Sequence, residues 1–178
     1  MIETDRLTLR DWTEADVAPF LLHTNSPAVM RWLGGVKSEA EQREGIARIM
    51  RWQEERRFTF WVMERKADAA LLGFCGLKIA DTPGSPIAGL FEIGWRLRED
   101  AWGRGYAKEA AIASLDFAFG ELGAERVVAI TFPGNEPSWG LMERLGMTRR
   151  PELDYDDARF PGLNPTIVYD IRPGELRR

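Results

Sequence analysis

One cysteine and one histidine occur in 178 residues, and each scarcity removes a class of chemistry. Cys75 has no partner for an internal disulfide. Its place in the apolar stretch Leu71 to Leu77 makes it read as a small buried hydrophobe in a reducing compartment. His23 alone cannot build a histidine-rich metal site, so no metal is expected, and any Ser-His-Asp triad would have to run through it. Its position late in a helical stretch favours a surface or capping role. No apolar run approaches the length of a bilayer span, and Met1 to Arg10 alternates charge with apolar residues where a leader would show a basic start and an apolar core. The expectation is a cytoplasmic protein, neither exported nor anchored. Positive charge is also short. Twenty-four Lys and Arg face 28 Asp and Glu, a net charge of −4, which argues against nucleic acid as a partner. No repeat, low-complexity tract or linker divides the chain, and 44% apolar residues suffice for one core, so residues 1–178 are expected to form a single domain.

Periodicity predicts a mixed α/β order of strand, two helices, three strands, helix, strand, helix, strand. Arg6 to Trp12 alternates and reads as a strand with Leu7, Leu9 and Asp11 on one side. Thr13 and Asp16 have the spacing of a capping pair for a helix that stops near Asn25 to Pro27. Ser38 opens a second helix, with Glu39 and Glu41 in its first turn and Arg48, Arg51, Arg56 and Arg57 towards its end, the sense the helix dipole favours. Phe58 to Glu64, Ala70 to Ile79 and Leu90 to Arg98 suggest an antiparallel meander. After Gly105 the period becomes helical, with Ala107, Ala111, Leu115, Ala118 and Leu122 on one stripe and Gly123 beyond the end. Arg126 to Phe132 is a β-branched strand, Asn135 caps a short helix ending at Gly146, and Thr166 to Ile171 is the last strand.

The segment Leu90 to Ala111 is the most informative, because a strand, a glycine-bearing turn and a helix start follow one another. Gly103 and Gly105 admit backbone conformations closed to other residues and let a ligand approach the main chain. The free N–H groups at the helix start then face an anion, with Arg104 and Lys108 adding positive charge. Taken alone, two glycines leave a plain strand-to-helix turn equally open. Nucleotide fingerprints fail: Lys108 stands where a dinucleotide motif needs its third glycine, and no Gly-Lys-Ser/Thr occurs.

Trp102-Gly-Arg-Gly105-Tyr-Ala107 resembles the acetyl-CoA signature of the GCN5-related N-acetyltransferase (GNAT) superfamily, Arg/Gln-x-x-Gly-x-Gly/Ala. Trp102 departs from its first position, in the manner of the branch that resembles ribosomal-protein N-terminal (alanine) acetyltransferases. Asn135 to Met147 and Thr4-Asp-Arg-Leu-Thr-Leu-Arg10 match two further blocks in the family's order. The resemblance implies an acyl-CoA N-acyltransferase fold, a central, mostly antiparallel sheet flanked by helices. It implies that backbone groups of Gly103, Arg104, Gly105, Tyr106, Ala107 and Lys108 hold the pyrophosphate of acetyl-CoA. It further implies that Trp95, Arg96 and Leu97 pair with the pantetheine arm, and that Asn135 contacts its amides. For Asn135, helix capping alone is the alternative. Homodimers are frequent among relatives, and no residue here decides the point.

Acetyl transfer to an amine needs a base, donors for the developing oxyanion and an acid for the departing thiolate. Glu92 is the candidate base. Phe91, Ile93, Trp95 and Leu97 share one face of its strand and leave Glu92 on the other with Gly94 and Arg96. A structural pair with Arg96 is the alternative role. Backbone N–H groups of the same strand are the candidate oxyanion donors. The family's frequent acid is a Tyr seven residues after the Asn; Met142 stands there, and Ser138 is the substitute that the branch suggests, with a solvated hydroxyl or weak cap as alternatives. Trp32 lies in the stretch that flanks the acceptor cleft in the family. Asp154, Tyr155, Asp156 and Asp157 form an acidic patch beside the other wall, suited to a cationic amine, where relatives often carry His in place of Asp157. A protein N-terminus, a polyamine or amino acid, or an amine-bearing antibiotic all remain open as acceptors. A coenzyme A-binding module without catalysis and a transferase for other acyl groups remain rival readings.

Overall fold

The computed structural model describes residues 1–178 and places eight strands in one sheet. The strands are β1 (Ile2–Glu3), β2 (Leu7–Arg10), β3 (Phe60–Arg65), β4 (Ala70–Ile79), β5 (Phe91–Leu97), β6 (Val127–Thr131), β7 (Thr148–Arg149) and β8 (Ile167–Ile171). The helices are α1 (Glu14–Thr24), α2 (Pro27–Met30), α3 (Glu39–Glu55), α4 (Tyr106–Gly120) and α5 (Glu136–Arg144). The sheet order is β1-β2-β3-β4-β5-β6-β8-β7, and every neighbouring pair is antiparallel except β5 and β6. That parallel pair needs a crossover, and α4 supplies it.

The predicted elements are present with ends shifted by at most three residues, and Ala70 to Ile79 with none. Asp16 accepts both the N–H and the hydroxyl of Thr13 at 2.8 Å, as the capping spacing predicted, and also takes both ends of the Arg10 guanidinium. Ser38 and Glu41 close a reciprocal box at the start of α3. The expected basic end of α3 is corrected: its last turn contains Glu54 and Glu55 and no basic residue, with Arg56 and Arg57 outside the helix. β1, β7 and α2 were not anticipated.

The main core lies between the sheet and α4. Alanines 110, 111 and 118 with Ser114 and Leu115 are the buried face of α4, a stripe of small side chains that lets the helix lie close against β4 and β5. Leu7, Leu9, Met63, Leu77, Ile93 and Val127 meet it from the sheet. Cys75 belongs to this core, where burial pushes its thiol up to about 12 and leaves it unreactive at neutral pH. The opposite face carries α1 and α3 over Trp12, Phe20, Ile46 and Val62, with Phe20, Phe74 and Phe60 stacked in series. No helix is long and apolar enough to cross a membrane.

Candidate active site

Past the end of β5, Arg98 and a short 3₁₀ turn (Glu99–Ala101) lead into the glycine turn. Gly103 and Gly105 sit at φ +70° and +81°, which side-chain-bearing residues rarely adopt. The backbone N–H groups of Gly103, Arg104, Gly105, Tyr106, Ala107 and Lys108 make no hydrogen bond within the chain; the ladder of α4 starts with Glu109 N–H to the Gly105 carbonyl at 3.1 Å. Six consecutive donors at the positive end of a 15-residue helix, three of them on exposed residues, form a receptor for a polyanion. Its residues fit a pyrophosphate.

The turn is braced by residues that the sequence reading took only as a family marker. Arg6 donates to Glu109 at 2.7 Å and to the Arg104 carbonyl at 3.0 Å, and its guanidinium lies 4.6 Å from the Tyr106 ring centre. Thr4 adds a 2.6 Å bond from its hydroxyl to Glu109. Burial pushes the Glu109 carboxyl up, but the bonds from Thr4 and Arg6 prevail and hold it below its ordinary range. Trp102 is 48% exposed and fixes its indole by donating to the Leu97 carbonyl at 3.0 Å.

The parallel pairing of β5 with β6 covers only Phe91 with Val127 and Glu92 with Val128. Beyond Glu92 the strands separate, so the backbone of Ile93 to Leu97 has no strand partner on that side. Trp95 and Leu97 direct their side chains into the α4 core, which leaves their main chain to face the gap. The Arg96 side chain goes to the other face, donating to the Thr24 carbonyl at 2.7 and 3.2 Å and to Gln42 at 3.1 Å. Burial without a carboxylate partner lowers its guanidinium to about 10. Asn135 occupies the helix-start position of α5 but makes no capping bond; its amide donates to Thr131 at the end of β6, 2.9 Å away. The expected cap is therefore absent.

Glu92 is 6% exposed, at the point where β5 and β6 part. The alternation assigned to β5 holds, with Phe91, Ile93, Trp95 and Leu97 packed on the α4 side. The alternative, a pair with Arg96, does not form: Arg96 bonds Thr24 and Gln42. The Lys78 ammonium, from the residue directly opposite on β4, stands 3.3 Å from the carboxylate instead. Burial pushes the Glu92 carboxyl up, and Lys78 offsets this only in part.

Ser138 lies on the first turn of α5, half-buried, and its hydroxyl has no partner in the chain, which removes the cap reading. Trp32 crosses to the β6–α5 turn, where a side chain on Gly134 would run into its ring. Tyr155 is half-buried with its hydroxyl enclosed and unpartnered. Burial raises that phenol, the nearby Thr82 hydroxyl offsets part of the rise, and Glu92 adds to it. The acidic patch is corrected: Asp154 pairs with Arg149, and the buried Asp157 pairs with Arg159 at 2.6 Å, so two of its three carboxylates are neutralised. Arg159 holds the Asp157 carboxyl below its usual range.

The parallel pair therefore opens into a cleft beside a donor-lined helix start. The comparisons with known proteins give the family. The family model described as acetyltransferase (GNAT) domain matches residues 6–148. The uncharacterised protein YkkB of Bacillus subtilis is 34% identical over 145 residues, covering 81% of this chain and 83% of the relative. The uncharacterised N-acetyltransferase p20 of Bacillus licheniformis is 28% identical over 88% of this chain and 87% of its own. An acetyltransferase structure from Agrobacterium tumefaciens superposes with a TM-score of 0.82 at 27% identity, covering 96% of this chain and 93% of that one. The chain belongs to the GNAT family and is an acetyl-CoA-dependent N-acetyltransferase.

Proposed function

We propose that the protein transfers the acetyl group of acetyl-CoA directly to a primary amine, of a small molecule or a protein N-terminus, with both substrates bound together. The observation that carries this reading is the near-complete burial of Glu92 at the opening of the sheet, on the strand that leads into six unpartnered N–H groups. Gly103 to Lys108 bind the pyrophosphate, the free edge of β5 at Trp95 to Leu97 binds the pantetheine, and Asn135 offers its unbonded side-chain oxygen. Acetyl-CoA supplies an acetyl group activated as a thioester. Glu92 takes one proton of the incoming ammonium, β5 N–H groups face the carbonyl oxygen, and the Ser138 hydroxyl passes its proton to the departing sulfur and regains one from the nitrogen, which sheds its second proton after attack. The nitrogen-to-carbon bond forms as the carbon-to-sulfur bond breaks, with no covalent enzyme intermediate. Trp32 and Tyr155 flank the acceptor.

The test is the pH dependence of thiol release at saturating acetyl-CoA. The wild type should show an acidic limb that Glu92→Gln abolishes together with most of the rate, and Ser138→Ala should slow turnover without moving that limb. An acidic limb that survives unchanged in Glu92→Gln would assign the base elsewhere.

A further inference from the structure

Glu92 shares its surroundings with a second buried charge. Lys78 is its direct cross-strand neighbour, and the side chains of Lys78 and Glu92 are only 10% and 8% exposed. The ammonium bonds Asp81 at 2.8 Å and stands farther from Glu92, at 3.3 Å. Asp81 is the more exposed of the two carboxylates, at 47%. The remaining charged or titratable groups around Glu92 come from the C-terminal loop: Arg159, itself bonded to Asp157 and Thr82, and the Tyr155 phenol. On the β6 side the neighbour is Val128, which offers no charge.

These positions separate two things a base needs. A carboxylate taken out of water with no cation nearby picks up a proton and can accept no other. A carboxylate bonded tightly to an ammonium stays charged but has its lone pairs occupied. Here the cation is close enough to favour the charged form while its shorter bond goes to a third group, Asp81. We propose that Lys78, drawn aside by Asp81, is a positioning residue that favours the carboxylate form of Glu92 without engaging its oxygens closely, so that Glu92 can take the proton of the amine. This inference rests on the assignment of Glu92 as base.

Lys78 and Asp81 then act with opposite sign. Lys78→Met removes the cation, so the acidic limb of kcat/KM for the acceptor moves to higher pH by about one unit or more. Asp81→Asn releases the ammonium to bond Glu92, so the limb moves to lower pH and the plateau rate falls. Lys78→Arg keeps the charge and should return the limb towards its wild-type position. A purely structural role would change stability and rate but not displace the limb in two directions.

The experiment is the pH profile of thiol release for Lys78→Met, Lys78→Arg, Asp81→Asn and Glu92→Gln. Asp81 lies near the surface, so its variant decides the matter if Lys78→Met does not fold. Opposite displacements are the expected result. Glu92→Gln losing the limb while the Lys78 and Asp81 variants keep it in place would overturn the role of Lys78 and leave Glu92 as base; Glu92→Gln keeping the limb would overturn the base assignment itself.

Discussion

Replacing Gly103 or Gly105 by alanine isolates the backbone as the anion-binding element. Both residues hold positive φ, where an L side chain costs about 1–2 kcal/mol. Neither alanine meets a steric obstacle: a Cβ at Gly103 has nothing within 4 Å, and one at Gly105 comes no closer than 3.4 Å to Arg6. The turn is exposed, its N–H groups make no internal bonds and Arg6 holds it only through the Arg104 carbonyl and the Tyr106 ring, so the free protein leaves the alanine room to relax. The cost therefore falls on binding, when the six donors must converge on the ligand. About 1–2 kcal/mol corresponds to roughly a 5- to 30-fold rise in KM for acetyl-CoA for each variant, read from initial rates of thiol release, with the acceptor KM nearly constant. Gly174→Ala is the control. Gly174 has φ +89° in a turn closed by a 2.8 Å bond from Arg172 N–H to Glu175, so the same strain falls on the fold. That variant should lower Tm by about 2–8 °C and leave the acetyl-CoA KM unchanged. Wild-type KM values in both Gly103→Ala and Gly105→Ala would refute the assignment of this turn to the cosubstrate.

Glu92→Gln should lose activity and gain stability together. Burial raises the carboxyl of Glu92 above its unfolded value, so the folded state holds that proton more tightly. The fold therefore loses stability as pH rises through the titration of Glu92, a loss the glutamine avoids; thermal melts should show the variant's advantage growing from acidic to neutral pH. Gly134→Ala should push Trp32 aside, because its methyl would occupy the space of the indole. The expected outcome is a changed acceptor KM with an unchanged acetyl-CoA KM, and no further loss when Trp32→Ala is added, which a double-mutant cycle measures.

Local patterns carried the elements whose signals are contained in a few residues. The strand, turn and helix from Phe91 to Gly120, the Thr13 and Asp16 pair, and the two faces of β5 were all legible from spacing. The two-residue strands β1 and β7 and the single-turn α2 fall below the length at which a period can register. Pairing between distant segments was hidden for a different reason. The cross-strand register of Lys78 with Glu92 depends on how β4 and β5 align, so the sequence offered Arg96, the visible neighbour on the same face, as the partner. Asn135 likewise looked like a cap from its place before a helix, but the side chain turns to Thr131 on the strand behind it. Asp154, Asp156 and Asp157 read as a free acidic surface although their partners were near at hand, Arg149 five residues before Asp154 and Arg159 two after Asp157.

The most direct measurement follows acceptor-dependent thiol release from acetyl-CoA across a panel of small amines and N-terminal peptides, with the product mass determined and Glu92→Gln run beside the wild type. The account predicts thiol release that requires one class of amine, a product heavier by one acetyl group on nitrogen, and a large loss in Glu92→Gln. Tight binding of coenzyme A with no release on any acceptor, or release equally fast in Glu92→Gln, would contradict it.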